Sequence, residues 1–155
     1  DFQCQFCALF SKNSFPSLKY EYIDTGKIRF IYRDFILYRQ ESIFAANAAH
    51  CAGEQGKFWE YHDLLFQKQR GINSGTFLPE NLKKFGGELH LNQEKFEKCV
   101  DALPYEKKIK ESTTEAKKLG VWGTPSFFIN QSGPIFGSLD YRRFKILIDN
   151  ALESF

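Results

Sequence analysis

At 155 residues, 43% of them hydrophobic and 26% charged, the chain has the length and composition of one globular domain with a substantial core. Its 21 basic and 19 acidic residues leave a formal net charge of +2, too small to favour nucleic acid or an anionic membrane surface. No apolar run approaches the roughly 18 residues of a membrane span. No charged-then-apolar leader follows Asp1, which leaves the compartment open.

In chain order, the residues predict a helix over 5–25, kinked or interrupted at Pro16 and stopped by Gly26. A strand follows over 27–35, with Ile28, Phe30 and Tyr32 alternating against Arg29, Ile31 and Arg33. From Ser42, read as an N-cap, SIFAANAAHCAGEQGKFWEYHDLLFQKQ predicts two helices parted near Gly53 to Gly56. A loop with Gly71 and Gly75 leads to a helix from Pro79 to Gly86-Gly87. Asn92 caps a short helix, and Pro104 opens a longer one closed by Gly120. SFFIN, a turn at Gln131-Ser132-Gly133, and PIFG read as an antiparallel hairpin. The last helix carries one apolar stripe of Tyr141, Phe144, Leu147, Ile148, Ala151, Leu152 and Phe155. Strands and helices around an all-helical block imply an α/β layer fold.

The four cysteines are Cys4, Cys7, Cys51 and Cys99. Cys4 and Cys7 sit three apart at a helix start, on neighbouring turns of one face and within reach of a disulfide. Unpaired N–H groups and the helix dipole there stabilise a thiolate at Cys4, as exchange chemistry requires. Cys7, one turn in, is expected to be shielded and to act as the resolving thiol. Zinc is the weighed alternative, but Cys51 and Cys99 lie too far off for the usual repeat of CxxC, and no histidine pairs with them at ligand spacing. A lone structural CxxC bridge would constrain little of the unfolded chain. Cys51 and Cys99 are left as either a second disulfide or two buried apolar thiols.

Other residues have plainer readings. His62, in FWEYHDLL, is a core or helix-surface histidine, and Phe58, Trp59, Leu65 and Phe66 are core. The lysines from Lys107 to Lys118 interleave with glutamates as a solvated face. Phe2 and Phe6 form a candidate apolar docking patch beside the CxxC.

Three blocks, FQCQFC, AAHCAGEQGKFWEYHDLLF and GVWGTPSFFIN, in this order and spacing, resemble the DsbA-like thiol–disulfide oxidoreductases. The likeness runs from about residue 1 to 153. It implies a thioredoxin fold with an inserted helical domain, here 1–40 and 120–155 around 41–119. It also implies a catalytic Cys4–Cys7 couple, and a cis Pro125 that with Thr124 binds the substrate chain as an added strand. It favours a structural Cys51–Cys99 bridge. Further implications are an extracytoplasmic location, no cofactor and no metal. The implied partners are unfolded or reduced exported proteins and a membrane quinone-linked thiol oxidase, DsbB-like or VKOR-like, with no nucleic acid.

Two departures qualify that picture. Members with Pro-His between the cysteines use the histidine to hold the thiolate. Phe6 offers neither charge nor hydrogen bond, so a less favoured thiolate and a less oxidising couple are expected. Only Asp1-Phe2-Gln3 precede Cys4, so the fold's first strand is expected to lie upstream, with the acidic residue that relatives bury beneath the cysteines. The expected activity is dithiol oxidation. A reductase or isomerase, and a non-catalytic binding or chaperone module with structural disulfides, are the alternatives.

Overall fold

The structure, a computed structural model, describes residues 1–154. The helix expected over 5–25 is interrupted beside Pro16, as its proline predicts, into α1 (Gln5–Asn13) and α2 (Phe15–Leu18). It ends in a π-helical turn, Lys19–Ile23, that the sequence pattern does not predict. The interruption is due to Pro16, which has no N–H for an i−4 bond and a ring that clashes with the preceding turn. At the second position of α2, where an N–H has no intrahelical partner, it fits. The Ser14 N–H closes α1 on the Phe10 carbonyl at 3.0 Å, and Gly26, at φ +71°, ends the run.

Residues 27–37 run extended and carry the expected alternation, Ile28, Phe30 and Tyr32 half-buried against exposed Arg29, Ile31 and Arg33. They form no ladder, so the strand read at 27–35 is not one among the described residues. Alternation reports which side chains face the core, whereas a strand also needs a neighbouring backbone. At the start of the segment the Lys27 and Ile28 N–H groups donate to the Tyr22 carbonyl at 2.9 and 3.2 Å, and at its end the backbone bonds side chains of other elements. The Ile36 N–H donates to Thr113 Oγ1 at 2.9 Å, and Ser112 Oγ donates to the Asp34 carbonyl at 2.8 Å. The buried Asp34 carboxylate pairs with His50 Nε2 at 2.7 Å.

Five helices follow: α3 (Arg39–Gly53), α4 (Phe58–Lys68), α5 (Pro79–Glu88), α6 (Gln93–Ala102) and α7 (Glu106–Lys118). Their shared core is built on the small residues of α3, Ala45, Ala46, Ala48, Ala49 and Ala52, which let Tyr61, Leu65, Leu82, Phe96 and Ile109 approach closely. Ser42 is not the N-cap of α3, which begins at Arg39; it is fully buried inside the first turns, and its hydroxyl is used elsewhere. Nor does Gly86 end α5. A Cβ there would lie 2.4 Å from the Phe96 ring, so the glycine permits the close approach of α5 and α6. Asn92 caps α6 as expected, its side chain accepting from the Lys95 N–H at 3.1 Å. Cys51 on α3 and Cys99 on α6 are joined by a disulfide, S–S 2.05 Å.

The chain then forms an antiparallel hairpin, β1 (Ser126–Ile129) and β2 (Ser132–Phe136), and ends in α8 (Tyr141–Glu153). The turn is one residue earlier than expected, at Asn130-Gln131, because Asn130 takes the left-handed conformation, φ +55°, that such a turn requires. Asp140 caps α8, accepting from the Arg143 N–H at 2.9 Å. Phe144 and Ile148 of its stripe are buried against Phe10, Phe15, Leu18 and Tyr22 as a second core, while Leu152 stays 40% exposed. Phe155 lies outside the described residues. A small sheet with helices packed on it, and a helical block between the CxxC helix and the hairpin, make an α/β architecture with a helical insertion, as expected.

Candidate active site

Asp1 to Cys4 form a tight turn, closed by the Cys4 N–H donating to the Asp1 carbonyl at 3.1 Å. Cys4 leaves it with φ −75° and ψ 117° and is the N-cap of α1. Cys7 is the third residue of that helix. The folded chain brings a segment 120 residues away against the pair. The Cys4 Sγ lies 3.3 Å from the Thr124 carbonyl oxygen, to which it donates when it is protonated, and the Thr124–Pro125 bond is cis. A second cis bond, Gly133–Pro134, lies in β2. Both thiols are free, and both cysteines are covered, Cys4 2% and Cys7 7% exposed. Cys7 is shielded as expected, but Cys4 is buried too, with the Thr124 carbonyl against its sulfur, so exposure does not distinguish the pair.

Their electrostatics do distinguish them. The Cys4 thiol is lowered from 9.0 to about 5, chiefly because the Cys7 S–H donates to its sulfur. Burial opposes this, while the Thr124 side chain and the Cys7 backbone N–H add to it. Thr124 Oγ1 is buried with no hydrogen-bond partner, which leaves its hydroxyl free to turn to a Cys4 thiolate. Cys7 is pushed far up by the same hydrogen bond, in which it is the donor, and by burial. The pair holds one thiolate and one thiol near neutral pH. Cys4 reaches its low value without help from Phe6, whose ring is 52% exposed.

The surroundings revise two expectations. Phe2 is no part of a docking patch; it is 1% exposed and packs against Tyr32, His62 and Phe66. Exposed apolar groups around the CxxC helix are Phe6 and Leu9, and the loop before Thr124 exposes Trp122, stacked on Phe136 at 4.6 Å. His62 is buried among six aromatic rings, with Nδ1 2.8 Å from Asp63 Oδ1, and lies in the core rather than at the thiols' surface. The Cys51–Cys99 bridge sits within the helical block, beside Asn47, whose amide donates to the Cys99 carbonyl at 3.3 Å. Among the described residues no three His, Cys, Asp or Glu side chains are gathered as for a metal ion. Nor is any helix long and apolar enough to cross a membrane.

Asp1 and Gln3 were not singled out by sequence reasoning, yet both are buried and hydrogen-bonded beside Cys4. The available signal was a polar residue immediately before a reactive cysteine, which is uninformative without its partners.

Comparison with known proteins agrees with this geometry. The alpha-DsbA1 of Wolbachia pipientis has a similar structure, with TM-score 0.83 and 28% identity over 99% of this chain and 82% of that one. BdbD from Bacillus subtilis shares the fold, with TM-score 0.88, 22% identity, and coverage of 99% and 84%. A Rickettsia typhi protein named "Putative protein-disulfide oxidoreductase" is 32% identical over 97% of this chain and 55% of its own length. A Bacillus anthracis protein named "Probable disulfide bond formation protein D" is 27% identical over 99% of this chain and 71% of its own. The chain thus spans about half the length of the Rickettsia relatives it matches, 55% and 53% for the first two. The family model described as Thioredoxin matches residues 1–150. With that match covering nearly the whole sequence, and with a CxxC at a helix start facing Thr124-Pro125, the chain belongs to the thioredoxin family.

Proposed function

We propose that this chain is a thiol–disulfide oxidoreductase of DsbA type, working as a dithiol oxidase through Cys4 and Cys7. The observation that carries the reading is the asymmetry of the pair, with Cys4 lowered to about 5 and facing the Thr124 carbonyl while Cys7 is held as a thiol. In the oxidised form, a substrate thiolate attacks the Cys4 sulfur; the Cys4–Cys7 bond breaks, and Cys7 leaves and takes up a proton. A second substrate thiolate then attacks the substrate sulfur of the mixed disulfide, and Cys4 leaves as its stabilised thiolate. The substrate gains a disulfide, and the enzyme retains two electrons as one thiol and one thiolate.

Thr124 and Pro125 would orient the substrate backbone, and residues 1–40 and 120–155 would form the redox domain around an inserted 41–119. The substrates would be reduced exported proteins outside the cytoplasm, with reoxidation by a membrane quinone-linked thiol oxidase. The names of the relatives and the second disulfide, typical of oxidising compartments, support this placement.

The reductase or isomerase reading is favoured by one feature, the absence of any stabilising group at Phe6. Equilibration of the couple in glutathione buffers separates the two. A potential above about −180 mV is expected for the oxidase, and one near about −270 mV would make the protein a reductase.

A further inference from the structure

The turn that presents Cys4 is anchored by a segment of the helical block with no other connection to the thiols. Gln3, 1% exposed, points away from Cys4 into a buried polar knot. Its Nε2 donates to the Tyr38 carbonyl at 3.0 Å and to Ser42 Oγ at 2.9 Å, and it lies 3.4 Å from Asn73 Oδ1. Its Oε1 accepts from the Asn73 N–H at 2.5 Å. Gln69 Nε2 donates to the Phe2 carbonyl at 2.6 Å. The buried Glu41 carboxylate holds the far side of the same loop, accepting from the Gly75 N–H at 3.0 Å and the Phe77 N–H at 3.1 Å. Asp1 completes the knot, accepting from the Gln3 N–H at 2.8 Å, the Leu37 N–H at 2.6 Å and Ser42 Oγ at 2.7 Å.

A buried amide is a costly way to fill space, since each polar atom needs a partner or loses its hydration uncompensated. An apolar side chain would pack the site without that demand. What the knot provides is geometry, because hydrogen bonds have direction and the donors come from three separate parts of the chain. Cys4 follows Gln3 directly, so any relaxation of the turn changes the line from the Cys4 sulfur to the Cys7 thiol, the α1 N–H groups and Thr124.

We propose that Gln3 is a positioning residue for thiol exchange, and that through Gln3 the 69–77 loop of the helical block fixes the attack geometry of Cys4. This rests on Cys4 being the reactive thiol. The loop is then part of the redox site, although no side chain on it touches a sulfur.

The test is the pH profile of iodoacetamide modification of Cys4 in the reduced protein, read by mass spectrometry, for the unaltered chain, Gln3→Leu, Glu41→Gln and Asn73→Gly. The Glu41 carboxylate bonds the loop and not the Cys4 turn. Asn73 is exposed at φ +49°, so glycine removes its side chain without backbone strain and keeps the fold available if Gln3→Leu does not fold. Gln3→Leu is expected to slow modification at pH 5–6 about threefold or more and to move the profile to higher pH. Glu41→Gln and Asn73→Gly are expected to shift it in the same direction by less. If the unaltered chain shows the low-pH reactive thiol and every folded variant matches its profile, differing only in melting temperature, the knot is merely structural and the proposal falls. If the unaltered chain shows no such thiol, the assignment of Cys4 fails first, which is a separate and recognisable result.

Discussion

The two cysteine pairs of this molecule are opposites. Cys51 and Cys99 come from different helices 48 residues apart and are bonded. Cys4 and Cys7 share one helical turn and are free. The distant pair closes a long loop, and its effect falls chiefly on the unfolded chain, on the order of 2–4 kcal/mol in favour of the native state. The close pair closes almost no loop and stabilises little when bonded. Its surroundings instead hold one sulfur as thiolate and the other as thiol. Separation along the chain and local charge stabilisation thus assign the same chemical bond to two uses.

The sharpest test of that division removes the distant pair. Replacing both Cys51 and Cys99 with alanine should lower stability by about 2–4 kcal/mol, and the melting temperature by roughly 5–15 °C. The Cys4 alkylation profile should stay centred near pH 5. A shifted profile would show that the bridge also tunes the reactive pair.

The next test concerns the close pair alone. The Cys4 pKa in the folded reduced protein, about 5, lies below the ordinary 9.0, so its contribution is complete above pH 9 and is lost as pH falls through 5. At pH 7 the reduced form should carry about 2–3 kcal/mol of extra stability from this source, and almost none at pH 4. Paired thermal melts of reduced and oxidised protein at both pH values measure it. An unchanged difference between pH 4 and pH 7 would remove the thiolate from the account.

A smaller effect is expected at Thr124. Thr124→Val deletes the hydroxyl that helps hold Cys4 down, so modification at pH 5 should slow roughly threefold to tenfold, about one hydrogen bond's worth. No change would leave the Cys7 thiol and the α1 N–H groups as the whole cause.

What could be read without coordinates was whatever depends on near neighbours in the chain. The CxxC at a helix start, the Asn92 cap, the apolar stripe of α8 and the hairpin signal all follow from spacings of two to four residues; the α/β class follows from element order, and the thioredoxin fold from the resemblance of three blocks. Errors arose where a local signal had a distant competitor. Gly86 looks like a helix end but is small because Phe96 packs on it, and Ser42 looks like a cap but bonds Asp1. The alternation of residues 27–35 is real, yet the hydrogen bonds at the ends of this segment go to the Tyr22 carbonyl, to side chains from α7 and, just beyond it at Leu37, to Asp1.

By itself, then, the sequence determined the helices, the final hairpin and the placing of Cys4 and Cys7 at a helix start, because helix geometry alone sets which residues share a turn. Only the tertiary structure decided the environment of those thiols. The Thr124 carbonyl lies 120 residues from Cys4, and Asn73 lies 70 residues from Gln3. No periodicity encodes such pairings; they are chosen when the cores close and every buried donor must find an acceptor.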